Sequence, residues 1–158
     1  CWVDATVFCS DIIPEYMLTG EMFAFKLPSV LGETVLKLSS WWLASRQSNR
    51  LIHLTRQMLY EYWKQEVDMR NYFLLHIAMS KLIDEDSECR NIFLRIPYFN
   101  SGNAHVLQGK LGEQYDEEEW NIIKSISHIH KLTHKKRYIQ GDLYNYYTAL
   151  LTDCLCTK

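Results

Sequence analysis

The sequence has few features of a linker, a membrane span or a nucleic-acid-binding protein. Its 158 residues include only six glycines and three prolines, without a repeat or a low-complexity stretch. Apolar runs are interrupted within about eight residues, whereas a helix that crosses a bilayer needs roughly 20. Seventeen basic and nineteen acidic residues leave a formal net charge of −2. We therefore expect no transmembrane segment and no nucleic-acid partner, because non-specific nucleic-acid binding depends on excess positive charge.

Cysteine is also arranged unlike a disulfide framework. There are five cysteines, an odd number, and no C-x-x-C pair. This usage favours free thiols. The alternative is a zinc site built from Cys154, Cys156, His128 and His130, but that spacing matches no standard zinc finger.

The remaining composition is that of a globular domain, with 47% hydrophobic and 13% aromatic residues. Aromatic residues at this level indicate either a large core or a cleft lined with rings. The chain opens at Cys1 with strand-like residues and without Met. We therefore expect residues 1–158 to be a single domain whose upstream part lies outside this sequence.

Hydrophobic periodicity predicts strands first and helices afterwards. Alternation predicts strands at residues 2–8, 22–27 and 35–44, and apolar spacings of three and four predict helices at 51–63, 69–83 and 88–95. Ser48 or Asn49 is placed to cap the first of these helices, and Pro97 to end the third. Two further helices are expected from Asp116 to about Lys124 and from Asp142 to about Leu155, with loops at 98–111 and 127–137. This order predicts an α/β or α+β domain.

The strand at 2–8 is predicted to be central in its sheet. The helix at 51–63 is predicted to pack on it through Leu54, Met58 and Leu59, which belong to an apolar stripe that also includes Leu51, Tyr62 and Trp63.

The first candidate site is the segment Trp2-Val3-Asp4-Ala5-Thr6. Residues two apart on a strand share a face, which puts the Asp4 carboxylate beside the Thr6 hydroxyl. Such a pair suits a hard divalent cation together with a phosphate or sugar hydroxyl. The alternative is an ordinary strand with an exposed aspartate.

The second candidate surrounds the adjacent Trp41 and Trp42, flanked by Ser40. Neighbouring side chains on a strand face opposite sides, so we expect one indole in the core and the other at a cleft or in solvent. An exposed ring can stack on a sugar, although core packing is the interpretation that the sequence favours.

The third candidate is Asn71-Tyr72-Phe73-Leu74-Leu75-His76. Asn71 is predicted in the first turn of its helix, where a polar side chain often acts only as a cap. His76 lies on an apolar face, which favours a hydrogen-bonded core histidine over a ligand.

The fourth candidate is the segment 128–137, in which seven of ten residues are His, Lys or Arg. Lysine charges and histidine nitrogens suit a pyrophosphate and its metal ion. The alternative is a solvated basic turn.

Taken in order, these four motifs resemble the bacterial capsular polysaccharide synthesis protein family, from Trp2 to about Leu151. That family is similar to glycosyltransferases with a DXD sugar-binding motif. The resemblance implies the C-terminal part of a GT-A, nucleotide-diphospho-sugar transferase fold: a mixed sheet with packed helices. It also implies a cytoplasmic protein that can associate peripherally with the inner face of the membrane.

The resemblance further implies a metal-dependent donor site that binds Mn²⁺ or Mg²⁺. Asp4 matches the first carboxylate of the motif, Thr6 takes the second position, and His130 is the candidate third ligand. Lys131 and Lys135 would neutralise the donor's phosphates.

Residues of the second and third motifs complete the implied donor and substrate contacts: Ser40, Trp41, Tyr72 and His76. Asn71 stands where family members carry an acidic residue. An amide can hydrogen-bond a sugar but cannot act as a carboxylate base or nucleophile. The implied activity is sugar transfer from a nucleotide-diphospho-sugar to a polysaccharide or lipid-linked glycan. The alternative is a degenerate glycan- or partner-binding domain that keeps the fold.

Overall fold

The protein is mixed α/β, with small sheets and packed helices. A computed structural model describes residues 1–31, 34–133, 135 and 144–156. The chain divides into two compact units. The first comprises Cys1–Asp4 and Pro14–Ser101, and the second comprises Ala5–Ile13 and Gly102–Lys158.

Residues 2–8 form two short strands instead of one central strand. β1 spans Trp2–Val3 and β2 spans Val7–Cys9, with a turn at Ala5 and Thr6 between them. β1 lies at the edge of a three-stranded sheet, whereas β2 belongs to a separate two-stranded sheet. The prediction of a central strand is therefore wrong, because alternation alone does not specify the partner of each half.

A long antiparallel hairpin forms most of the first unit's sheet. Helix α1 (Tyr16–Thr19) precedes β3 (Met22–Leu31) and β4 (Thr34–Ser45), and β1 pairs with β4 in the order β1-β4-β3. The two strands predicted here are confirmed and are longer than predicted. The named strands in the described residues pair antiparallel, and one isolated parallel bridge joins Lys26 of β3 to Asn100.

The start of β3 is buried on both faces of this sheet. Met22 and Ala24 belong to a core shared with the helices, whereas Phe23 and Phe25 pack among other aromatic rings. Because alternate residues of a strand point to opposite faces, this one segment serves two hydrophobic layers.

Three helices complete the first unit: α2 (Arg50–Gln65), α3 (Leu74–Glu85) and α4 (Ser87–Arg95). The Asn49 side chain caps α2 by accepting a hydrogen bond from Ile52 N at 3.1 Å. α4 ends before Pro97, as predicted. α3 begins five residues later than predicted, because residues 72 and 73 form a turn.

Helix α2 packs chiefly against α3 and α4, not against the segment 2–8. Its buried residues are Leu51 and Thr55. Leu59 is only half-buried, and Trp63 is 46% exposed. The predicted apolar stripe is thus correct near the start of α2 and wrong near its end.

The second unit contains α6 (Val106–Lys110), α7 (Glu117–Ile126), β5 (Ile129–Lys131) and α8 (Tyr146–Cys156), and α5 (Ser101–Ala104) begins where the first unit ends. The Asp116 cap of α7 is confirmed, since its carboxylate accepts from Glu119 N at 2.7 Å. Two expected loops are wrong: 98–111 contains α5 and α6, and 127–137 contains β5. Asp142, the predicted cap of the last helix, lies outside the described residues.

Candidate functional site

Two of the predicted motifs meet in the second unit. β2 and β5 pair antiparallel, with Val7 opposite Lys131. Leu132 N donates to the Thr6 carbonyl at 2.8 Å, and the Lys131 ammonium contacts the Thr6 hydroxyl. Residues 125 positions apart therefore place a cation and a hydroxyl side by side. The strand pairing fixes both backbones, so this arrangement is built into the fold.

The Thr6 and Lys131 side chains are both half-buried. An ammonium group in such a position interacts more strongly with an anion than a fully solvated one, because less water screens the charge. A hydroxyl beside it can donate to the same anion or bind a sugar hydroxyl. This pair can therefore recognise a sugar phosphate.

His130, the neighbour of Lys131, faces the interior of the same unit. Its side chain is fully buried, with an exposed fraction of 0%. A hydrogen bond of 2.9 Å joins its Nε2 to the Ser10 hydroxyl, and its ring packs against Phe8 and Trp120 at centroid distances of 6.0 and 5.8 Å. Burial, with a smaller contribution from the charge of His128, lowers the pKa of His130 to about 4.

Sequence reasoning missed Ser10 as the partner of His130. Ser10 directly follows β2, but nothing in the sequence reveals that β2 pairs with β5 or in which register. His130 is neutral at physiological pH, the form that binds metals. However, its Nε2 is engaged with Ser10, and its Nδ1 is buried without a hydrogen-bond partner among the described residues.

No metal-binding group of three or more His, Cys, Asp or Glu side chains occurs among residues 1–31, 34–133, 135 and 144–156. The side chains of Cys154 and Cys156 lie outside the described ones. Cys1, Cys9 and Cys89 are free thiols, as predicted for these three. A metal ion at Asp4 and His130 remains a prediction from the resemblance.

Asp4 lies at the end of β1 in the first unit. Trp2 Nε1 donates to Asp4 Oδ1 at 3.2 Å, and Asp4 N donates to the Trp41 carbonyl at 2.9 Å. The carboxylate is half-buried, and its backbone is fixed by β4. It is thus an oriented carboxylate, which suits the binding of a cation and also suits a purely structural role.

The tryptophan pair is buried in the first unit. Trp41 is 6% exposed and stacks on Phe25 at 4.3 Å, and its Nε1 donates to the Ser101 hydroxyl at 3.4 Å. Trp42 is 1% exposed. The expectation that one ring faces a cleft or solvent is therefore wrong, because both sides of β4 are covered here. Ser40, next to them, is half-buried.

The third motif forms a turn that leads into α3. The Asn71 side chain accepts a hydrogen bond from Phe73 N at 2.8 Å, so its amide stabilises the turn from a position before the helix and not within its first turn. Tyr72 is 74% exposed. His76 is half-buried and packs edge-on against Phe73 at 5.4 Å.

The expected hydrogen bond of His76 is not found among the described residues, where its Nδ1 is buried without a partner. Burial lowers the pKa of His76. Lys135 is exposed, and its backbone N–H donates to the Thr133 hydroxyl at 3.2 Å. The rest of the basic segment, residues 134, 136 and 137, lies outside the described residues.

The fold and these contacts define a mixed α/β protein with a compact cation–hydroxyl pair on a two-stranded sheet. The model of the capsular polysaccharide synthesis protein family matches residues 1–150. The chain belongs to this family. Comparison with curated proteins gave no match, and neither did comparison with solved structures. Within the described part of the chain, no helix combines the length and the apolar character needed to cross a membrane.

Proposed function

We propose that the protein is a glycosyltransferase that moves a sugar from a nucleotide-diphospho-sugar to a capsular or other surface polysaccharide, or to its lipid-linked precursor. The observation that supports this most is the contact between Thr6 and Lys131. It joins two motifs that the family resemblance assigns independently to the donor. Membership in the capsular polysaccharide synthesis family supports a sugar substrate.

In this proposal Lys131 binds the donor's diphosphate. Its ammonium offsets the negative charge that grows on the leaving diphosphate as the sugar bond breaks, which is where electrostatic stabilisation contributes most to a rate. The Thr6 hydroxyl holds the Lys131 side chain in place and donates to a phosphate or sugar oxygen. Neither group needs to gain or lose a proton during transfer.

A divalent ion, Mn²⁺ or Mg²⁺, would supply further stabilisation of the diphosphate, with Asp4 as the carboxylate that holds it. Asn71 offers no nucleophile, and its amide oxygen already accepts from Phe73 N. We therefore propose that the acceptor hydroxyl attacks the anomeric carbon directly as its bond to the diphosphate breaks, with the hydroxyl proton passing to the departing diphosphate. No covalent intermediate forms at Asn71. Nucleotide sugars are the substrates, so we place the reaction on the cytoplasmic side, with peripheral association at the membrane.

A second function, glycan or partner binding without turnover, is favoured by one observation. Thr6 and Asn71 are neutral where related enzymes carry carboxylates. An assay of donor consumption separates the two functions, because a binding domain consumes no donor.

The test is a donor screen with the full-length protein. Each of a panel of UDP-, GDP-, CDP- and dTDP-sugars is incubated with acceptor oligosaccharides cut from the capsule of the source organism, with Mn²⁺, with Mg²⁺ and with EDTA. We expect one donor to be consumed with formation of an extended oligosaccharide. Absence of turnover with every donor, in protein that still binds the oligosaccharides, would favour the binding domain instead.

A further inference from the structure

The second half of α2 carries two exposed aromatic rings on the side that does not pack into the core. Tyr60 is 61% exposed and Trp63 is 46% exposed, whereas the buried residues of the helix, Leu51 and Thr55, lie near its start. Apolar rings of this size usually contribute to cores or interfaces, so two of them together in solvent indicate a binding surface.

These rings line one open hollow of about 520 Å³ on the surface of the helix. We call the surface that lines it the α2 aromatic face, which consists of Gln57, Tyr60, Glu61, Trp63 and Lys64. It therefore combines two π-faces with amide, carboxylate and ammonium groups.

The Trp63 ring is held in place although it is exposed. The neighbouring Tyr62 ring contacts it edge-on at 5.1 Å. The Tyr62 hydroxyl in turn donates to the Asp68 carbonyl at 2.9 Å and accepts from Arg70 N at 3.0 Å. The loop after α2 thus fixes Tyr62, and Tyr62 orients Trp63. A pre-oriented ring loses less conformational entropy when it binds a ligand.

The charges around this surface cancel. Residues 56–70 contain three basic and three acidic side chains: Arg56, Lys64 and Arg70 against Glu61, Glu66 and Asp68. Lys64 pairs with Glu61 at 2.6 Å, and Arg70 pairs with Glu66 at 2.7 Å. A surface without net positive charge has no electrostatic attraction for an anionic membrane. Its chemistry instead matches a ligand that presents both C–H faces and hydroxyl groups.

We propose that the α2 aromatic face binds the glycan acceptor, a segment of oligosaccharide whose pyranose faces lie on Tyr60 and Trp63. Gln57, Glu61 and Lys64 bond its hydroxyls. This inference rests on the proposed sugar-transfer function and adds to it the place where the acceptor chain is held. The buried Trp41 and Trp42 cannot take this role, because their rings do not reach solvent.

The test is equilibrium binding by titration calorimetry of the full-length protein with oligosaccharides from the capsule of the source organism. Cellohexaose and maltohexaose serve as additional neutral probes. We expect Trp63→Ala and Tyr60→Ala each to weaken binding about tenfold, a change typical of removing a central aromatic contact. Trp63→Phe should restore most of the affinity. The matched control is Tyr98→Ala, since Tyr98 is 67% exposed but lies outside this surface.

Circular dichroism establishes that each variant is folded, and Tyr60→Ala keeps the test decisive if Trp63→Ala does not fold. Unchanged affinity in both alanine variants, or no binding of any oligosaccharide to the wild-type protein, would overturn the proposal. The proposal would also be overturned if the alanine variants kept their oligosaccharide affinity but lost self-association or lost binding to vesicles of three parts phosphatidylcholine to one part phosphatidylglycerol.

Binding requires no donor, so this result is independent of turnover. Tyr60- and Trp63-dependent binding without any sugar transfer would support the glycan site and refute the transferase. Where transfer is measurable, the same substitutions should raise the acceptor KM about tenfold and leave the donor KM unchanged.

Discussion

Acidification should destabilise the protein through His130, because this side chain is buried in its neutral form. Its ordinary pKa of 6.5 is lowered to about 4 in the folded state, chiefly by burial. Between these values the unfolded chain binds a proton that the folded chain does not. The free energy of unfolding therefore falls as the pH drops from about 6.5 to about 4. One unit of pKa corresponds to about 1.4 kcal/mol, so the loss attributable to His130 at pH 4 is about 3 kcal/mol.

The assay is urea unfolding at pH 7.5 and pH 4, in the wild-type protein and in His130→Gln. Glutamine cannot titrate and still offers Ser10 a hydrogen-bond partner. The wild type should lose about 3 kcal/mol more than His130→Gln between the two pH values. Carboxylates and His76, whose pKa is also lowered by burial, contribute to both proteins and cancel in the comparison.

His53→Gln is the control, since His53 is an exposed histidine on α2. It should leave the pH dependence of the wild type unchanged. An equal pH dependence in wild type and His130→Gln, or an NMR titration of His130 with a pKa of 6.5 or higher, would refute the reasoning. Selective broadening of the His130 ring signals by Mn²⁺ would support the metal-ligand role that the resemblance implies.

Three further predictions test the fold and the site. Leu51→Ala should reduce the free energy of unfolding by about 3–5 kcal/mol and Leu59→Ala by clearly less, because Leu51 is fully buried and Leu59 is half-buried. If urea unfolding shows similar losses for the two variants, the described packing of α2 is contradicted. Asp116→Ala should cost about 1 kcal/mol by removing the cap of α7, and Asp116→Asn should restore most of it. Asp4→Asn should abolish sugar transfer without lowering Tm, because an amide oxygen still accepts the hydrogen bond from Trp2 Nε1. Turnover at the wild-type rate in this variant would refute the assignment of Asp4 to the donor site.

The elements that the sequence predicted well are those with a local signal. Asn49 and Asp116 mark the starts of α2 and α7 because a cap acts on backbone N–H groups within three residues. Pro97 marks the end of α4 for a similarly local reason. The alternation of β3 and β4 was visible because each strand is long enough for several periods.

The elements that it missed depend on partners far along the chain. Alternation in residues 2–8 could not reveal that the two halves pair with β4 and β5. The charge of residues 127–137 concealed a strand, because hydrogen bonding to β2 outweighs local polarity. Helical spacing alone predicted Trp63 on the apolar stripe of α2, but its side chain is 46% exposed.

The candidate site shows the same contrast between what a local sequence signal predicts and what depends on distant partners. Thr6 and Lys131 were both predicted as donor-binding residues, although nothing in the sequence placed them in contact. The family resemblance implied His130 as a metal ligand, and only the β2–β5 register shows its bond to Ser10. The predicted convergence of Asp4 and His130 stays a prediction.

The proposed donor site is tested most directly by comparing kcat/KM for the nucleotide sugar in Lys131→Met and Lys81→Met of the full-length protein. Each substitution removes one positive charge, but Lys81 is an exposed side chain on α3, 3.9 Å from Glu85 and outside both proposed sites. A hydrogen bond to a charged group contributes about 1.5–3 kcal/mol, so Lys131→Met should lower kcat/KM roughly 10- to 100-fold. Lys81→Met should leave kcat/KM for the donor unchanged. Equal values for Lys131→Met and the wild type would contradict the assignment of the Thr6–Lys131 pair to the donor diphosphate.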